Sequence, residues 1–407
     1  MSWRSPAGTV LLLAVAGFAP TACGVAPGQA PAPAVSLGYG VDTTDADVGA
    51  VVRLVRAYLA RPDTTARARG LWSPADSAGR GRDRLAPLGF QTLPATVLGV
   101  LAEPPGDSVY AVRVLYARPD SARGQAVPLA LQRLYAVRAP GSPHGWQLAG
   151  ALPRLTRDWD RLTVGRIAYR YEPGQRPDTA RAVRAARFVD SVAALFAVAA
   201  PSRVDYYVTA SPEANYRALG LDFYPLPSGP GGGRGGNGGR EPGAETGFVL
   251  AGDPRQGEAY LHELTHAVLG GRLGGGGFIA EGVATWLGGS KGQSPPALYA
   301  ALAAFQRAHP DATLAGLVRG DGGGGGEVAR DDARYASGAL VVDALYRRAG
   351  GAGLRALRTA PDAPPDLLRF LAVQLGLPPD NAGALEQWWR RTVAEVAARG
   401  PGGATTR

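Results

Sequence analysis

Five consecutive residues constrain this chain more than any other feature: His262-Glu263-Leu264-Thr265-His266. On a helix, positions i and i+4 share a face about one turn apart, so the two imidazoles can reach a single ion. Glu263 is displaced around the helix from His262, toward the open coordination position of such an ion and away from the ion itself. The flanking sequence fits a helix from Glu258 to Leu269, which contains no proline and no internal glycine. Gly270-Gly271 supplies a stop, and Leu261, Leu264, Val268 and Leu269 supply a buried side. Two imidazoles and a carboxylate on a half-buried helix are costly without a metal or other partners. The alternative is that His262 and His266 are solvent-facing residues of a surface helix.

Composition narrows the ligand chemistry. The chain has one cysteine and four histidines. No intramolecular disulfide and no cysteine-based zinc cluster can form, so a metal would rest on imidazole and carboxylate. With 407 residues and 45% apolar side chains, the chain can bury two or three domain cores and is not disordered throughout. The net charge is +9, but Lys291 is the only lysine and the arginines are spread without a dense basic run. Nucleic-acid binding is not expected from that pattern. The glycine-rich stretch Ser228 to Gly243 lacks the Gly-Lys-Ser/Thr end of a phosphate-binding loop.

The N-terminus reads as a targeting segment. Arg4 precedes an apolar run from Val10 to Phe18, too short to span a bilayer, which takes about 20 residues. Pro20-Thr21-Ala22-Cys23 resembles a bacterial lipobox, with Pro20 where a Leu-like residue is usual. The expectation is a signal peptide over 1–22, a lipid anchor at Cys23 and an Ala/Pro-rich tether over 23–40. The protein would then be exported and lipid-anchored to a bacterial membrane in the cell envelope. The alternative is a soluble secreted or periplasmic protein in which Cys23 is incidental.

Two folded units follow, and the predicted class is α+β. In the first (41–156), Asp45 caps a helix to Ala60 with Val48, Val51, Val52, Val55, Tyr58 and Leu59 as its stripe. Strands are predicted over 95–101, 108–117, 129–137 and from Trp146 to Ala149. A helix plus an antiparallel sheet of this kind is similar to the nuclear-transport-factor-2-like fold, whose members often serve as accessory modules. The second unit (157–400) starts with one strand over 162–171. A helix over 178–199 follows, with Val183, Phe188, Val192, Leu195 and Phe196 facing inward. Short strands come next over 204–209 and 248–251, and then mostly helix to the end.

Within that unit, His262 to Gly271 followed by Phe278-Ile279-Ala280-Glu281-Gly282-Val283-Ala284-Thr285-Trp286 resembles the peptidase MA-like group of gluzincin metallopeptidases. The resemblance implies a zincin-like domain that is mostly helical toward its C-terminus. It implies one Zn²⁺ per chain held by His262, His266 and Glu281, the last on a helix returned by Gly274–Gly277. It implies hydrolysis of a peptide or protein substrate by zinc-held water, with Glu263 as general base. No third histidine stands at the metzincin spacing. Tyr335-Ala336-Ser337-Gly338 resembles the Tyr-x-Lys-Gly stretch of gluzincin aminopeptidases, in which the tyrosine stabilises the oxyanion. Ser337 stands where the lysine would be, and a core aromatic is the other reading of Tyr335. Thr285 occupies the place of the thermolysin aspartate that orients an imidazole. That partner is therefore expected elsewhere, for example at a backbone carbonyl. The aminopeptidase Gly-x-Met-Glu-Asn stretch is missing from Gly247 to Gly257, which favours an endopeptidase. Two further alternatives are a non-catalytic zinc-binding envelope lipoprotein and a zinc hydrolase of non-peptide amides or esters.

Overall fold

In the computed structural model of the chain, the described residues are 34–60, 70–74, 93–104, 108–120, 122–224, 246–320 and 328–399. The expected signal peptide, Cys23 and the glycine-rich stretch 228–243 lie outside them. The described residues belong to one compact unit, built on two sheets with helices against both. No helix among the described residues is long and apolar enough to cross a membrane.

The first sheet follows the alternation of its strands. It contains β1 (Val35–Leu37), β2 (Ala95–Ala102), β3 (Val109–Asp120), β4 (Gln125–Arg138) and β5 (Trp146–Ala149) in that spatial order. All neighbours are antiparallel except β1 with β2. Helix α1 (Ala46–Leu59) begins at Asp45, whose carboxylate accepts from the amides of Asp47 and Val48. Its Val51, Leu54, Val55 and Tyr58 pack on Val97, Val112, Val114, Leu134 and Trp146. Along β3, Tyr110, Val112, Val114 and Tyr116 point inward at every second position. The Tyr116 hydroxyl donates to Oε1 of the buried Gln132 at 2.8 Å, which satisfies both groups inside the core. The stretch read as a tether extends too far: Val35–Leu37 pairs with Ala95–Val97 as β1.

The second sheet begins after helix α2 (Ala151–Leu155). The single strand expected over 162–171 is a hairpin of β6 (Asp160–Val164) and β7 (Ile167–Tyr171). Gly165, at φ +56°, makes the reversal. Helix α3 (Thr179–Leu195) then carries the chain to β8 (Arg203–Val208), parallel to β7. Its buried residues are Ala182, Ala185, Val189, Val192 and Ala193, with Phe196 just beyond. Val183, Phe188 and Leu195, expected to face inward, are only half-buried. Helix α4 (Pro212–Ala218) leads to β9 (Leu221–Phe223), which pairs with β4 of the first sheet and places Leu221 in its core. Strand β10 (Thr246–Ala251) returns to the second sheet beside β8, giving the order β10-β8-β7-β6.

The remaining elements are helical. They are α5 (Leu261–Leu269), α6 (Gly276–Gly288), α7 (Pro295–Ala308), α8 (Leu314–Arg319), α9 (Val328–Ala356, broken at Gly350), α10 (Pro364–Leu375) and α11 (Ala382–Arg399). One face of the second sheet meets α3 and α5, with Val204, Tyr206, Val249, Leu264 and Val268 in one core. The other face is covered through Leu152 of α2 and Ala218 of α4, packed with Tyr207, Phe248 and Leu250. Buried tyrosines of the sheet hold the entry to α5. Tyr206 donates its hydroxyl to the Gly257 carbonyl and accepts from the Tyr260 amide at 3.0 Å, and Tyr169 donates to the Glu258 carbonyl. Tyr206→Phe leaves two buried backbone groups without that partner. It is expected to cost about 2 kcal/mol, read as a lower urea midpoint at unchanged slope.

Candidate metal centre

Helix α5 starts at Leu261, later than the expected Glu258. Residues 254–258 form a turn instead, and the sheet tyrosines hold the backbone at Gly257, Glu258 and Tyr260. From Leu261 the amphipathic pattern takes over. Leu264, Val268 and Leu269 are buried in the core, and His262 and His266 stand one turn apart on another side. Both imidazoles are buried, each at 5% exposure, too little for surface histidines. The chain leaves α5 at Gly270 and reverses through Gly275, which has φ +78°. A β-carbon on Gly275 would stand 2.3 Å from Ile279 Cγ1. The reversal is tied to the C-terminal helices by Gly274 and Gly275, whose amides donate to the carbonyls of Leu357 and Ala360.

Helix α6 thereby returns alongside α5 and brings Glu281 to the two histidines. Glu281 Oε2 lies 3.1 Å from His262 Nε2 and 3.3 Å from His266 Nε2. One donor atom from each of the three residues falls within 4.8 Å of the other two. The far nitrogen of His262 is fixed as well, because Nδ1 stands 2.7 Å from the Gly289 carbonyl oxygen. A carbonyl only accepts, so Nδ1 carries the proton and donates. In the neutral ring, Nε2 then presents a lone pair to a carboxylate oxygen. Such an arrangement needs a cation between the two atoms, either a proton or a metal. No family model matches this chain, and no curated protein matches it.

The donor set fits a zinc ion on geometry. Tetrahedral zinc with bonds near 2.1 Å holds its ligand atoms about 3.4 Å apart, and the Glu281 oxygen lies at 3.1 and 3.3 Å from the two imidazole nitrogens. Burial works to raise the Glu281 pKa, but hydrogen bonds and charge from His262 and His266 overcome it and hold the carboxyl well below the usual range. Burial works to lower the His262 pKa, and Glu281 with the nearby charge of Glu263 turns the balance upward. The site therefore favours a carboxylate facing positive charge.

Two further residues complete the surroundings. Glu263 is half-buried beside His262, outside the group of three, and its charge reaches Tyr260 and Tyr335. Tyr335 comes from α9. Its ring stacks on the His262 ring with centroids 6.2 Å apart and planes at 25°. Burial raises the Tyr335 hydroxyl above its ordinary pKa, so it stays a donor at neutral pH. Ser337 turns into the core and accepts from the Trp389 indole at 3.2 Å. Thr285 is buried without reaching an imidazole, and the orienting group for His262 is the Gly289 backbone. Sequence reading missed Gly289 as a particular residue, since a carbonyl belongs to every residue type. It also missed the Lys291–Asp332 ion pair at 2.7 Å, which ties the turn after Gly289 to α9.

Proposed function

We propose that this chain is a zinc-dependent peptide hydrolase of the gluzincin kind, with a zincin-like second unit, exported and lipid-anchored through Cys23. The observation that carries the reading is the convergence of two imidazole nitrogens on one carboxylate oxygen, with the His262 tautomer fixed by Gly289. His262, His266 and Glu281 would hold the ion. Zinc, when bound, acts as a Lewis acid and lowers the pKa of water from about 15.7 toward about 7. Glu263 takes the proton of the attacking water as general base and delivers it to the leaving amine. The Tyr335 hydroxyl, still protonated, donates to the carbonyl oxygen as negative charge builds there. Gly289 keeps His262 in the tautomer that offers Nε2 inward.

Elemental analysis of the purified chain tests the reading, wild type beside His262→Ala. About one zinc per chain in the wild type, lost in the variant, is expected. Peptide-library cleavage by the zinc-loaded protein then follows. No metal uptake on adding zinc would overturn the reading and leave a binding lipoprotein as the better description. Full zinc with cleavage of esters but not peptides would assign a different hydrolase.

A further inference from the structure

Arg334 precedes Tyr335 on α9 and lies against the face of α6 that carries Glu281. A β-carbon on Gly277 would stand 3.2 Å from a terminal nitrogen of its guanidinium. Gly277 is four residues before Glu281, so the two share a helix face one turn apart. Gly276 and Gly277 are exposed while Phe278 and Ile279 are buried, so solvent reaches α6 beside the guanidinium.

Part of the guanidinium lacks an acceptor among the described residues. Its Nε is shut off from solvent and has no hydrogen-bond partner. Among the described residues, no carboxylate forms an ion pair with it. Two nearby acids are committed elsewhere: Asp332 takes Lys291 at 2.7 Å, and Asp362 accepts from the Gly276 amide at 2.9 Å. Asp331, three residues earlier on α9, is exposed. Arg334 is the one arginine among the described residues with a guanidine nitrogen both buried and unpaired. Solvated arginines elsewhere on the surface carry no such penalty. A guanidinium answers a carboxylate with a planar fork of parallel N–H donors, a match that a neutral carbonyl cannot make.

We propose that Arg334 is a specificity-determining residue that receives a carboxylate of the substrate, one helical turn from the metal centre. The proposal rests on the peptidase reading and names its substrate class as acidic. On a peptide that group is either the C-terminal α-carboxylate or an Asp or Glu side chain near the cleaved bond.

The test reads binding without turnover, in the zinc-loaded full chain carrying Glu263→Gln. Two pairs of N-acetylated peptides are titrated by calorimetry. One pair differs only in a free or amidated C-terminus, the other only in an internal Glu or Gln. The acidic member of one pair is expected to bind about tenfold more tightly or better, and the pair that shows this identifies the carboxylate. Adding Arg334→Met should bring that ratio close to one while changing the neutral peptide's affinity far less. Arg334→Lys should keep part of the ratio, and it carries the comparison if Arg334→Met does not fold. A ratio near one in both pairs, or a ratio that survives loss of the guanidinium, overturns the proposal. A carboxylate preference lost with Arg334, in a protein whose Glu263 form cleaves no peptide, would sink the peptidase reading and leave this site standing. Peptide cleavage without any carboxylate preference would do the reverse.

Discussion

Glu263→Gln is expected to leave zinc binding unchanged and to slow peptide hydrolysis about a thousandfold or more. The carboxylate is not among the three groups that converge, so its loss removes no ligand. Its charge nevertheless registers at His262, Tyr260 and Tyr335, which places it at the same centre. Glutamine keeps the shape and a hydrogen-bonding oxygen but cannot accept the proton of an attacking water. The loss should therefore fall on kcat, with KM little changed, because substrate binding does not require the proton transfer. Zinc content and rate are to be measured on the same preparation. A variant as fast as wild type would remove Glu263 from the mechanism. A variant that loses its zinc would make Glu263 a ligand and call for a different base.

The parts of this molecule that were legible in its sequence are those where local pattern and tertiary environment agree. Asp45 caps α1 as read, because a side-chain oxygen over two free amides needs nothing from the rest of the chain. The alternation of β3 survives because one face meets α1. His262 and His266 share a helix face for the geometric reason that their spacing states. Legibility failed where position was decided at a distance. Residues 162–171 read as one strand because a single glycine inside an alternating run is weak punctuation, yet Gly165 turns the chain. The three residues of β9 join a sheet whose other strands end at Ala149, and no local pattern reports a partner so far away. In α3, Val192 and Phe196 lie inside as read, whereas Val183, Phe188 and Leu195 are half-buried and Ala182, Ala185 and Ala193 take buried positions beside them. The group that fixes His262 is a backbone carbonyl, with no letter in the sequence to mark it.

The second large effect is expected at Gly282, beside Glu281, the carboxylate proposed to hold the ion. Glycine inside a helix is about 1 kcal/mol worse than alanine, so its presence in α6 calls for a reason. The reason is the crossing of α6 and α9. A β-carbon on Gly282 would stand 2.6 Å from the Gly338 carbonyl carbon, and one on Gly338 would stand 2.8 Å from Gly282 Cα. Both obstacles are backbone, which cannot rotate aside. Gly282→Val must therefore push the two helices apart, at a cost of about 3 kcal/mol or more in urea unfolding of the metal-free protein. The same displacement separates Glu281 on α6 from Tyr335, three residues before Gly338 on α9. Zinc affinity by competition titration should accordingly fall about 10- to 100-fold, although no ligand has been changed. Gly141→Val serves as the control, since a β-carbon there meets nothing within 4 Å, and it should stay within about 0.5 kcal/mol of wild type. A Gly282→Val chain with wild-type stability and affinity would mean that the helix crossing does not hold the centre together. Loss of both properties, with Gly141→Val silent, would mean that the two glycines set the spacing on which the ligand geometry depends.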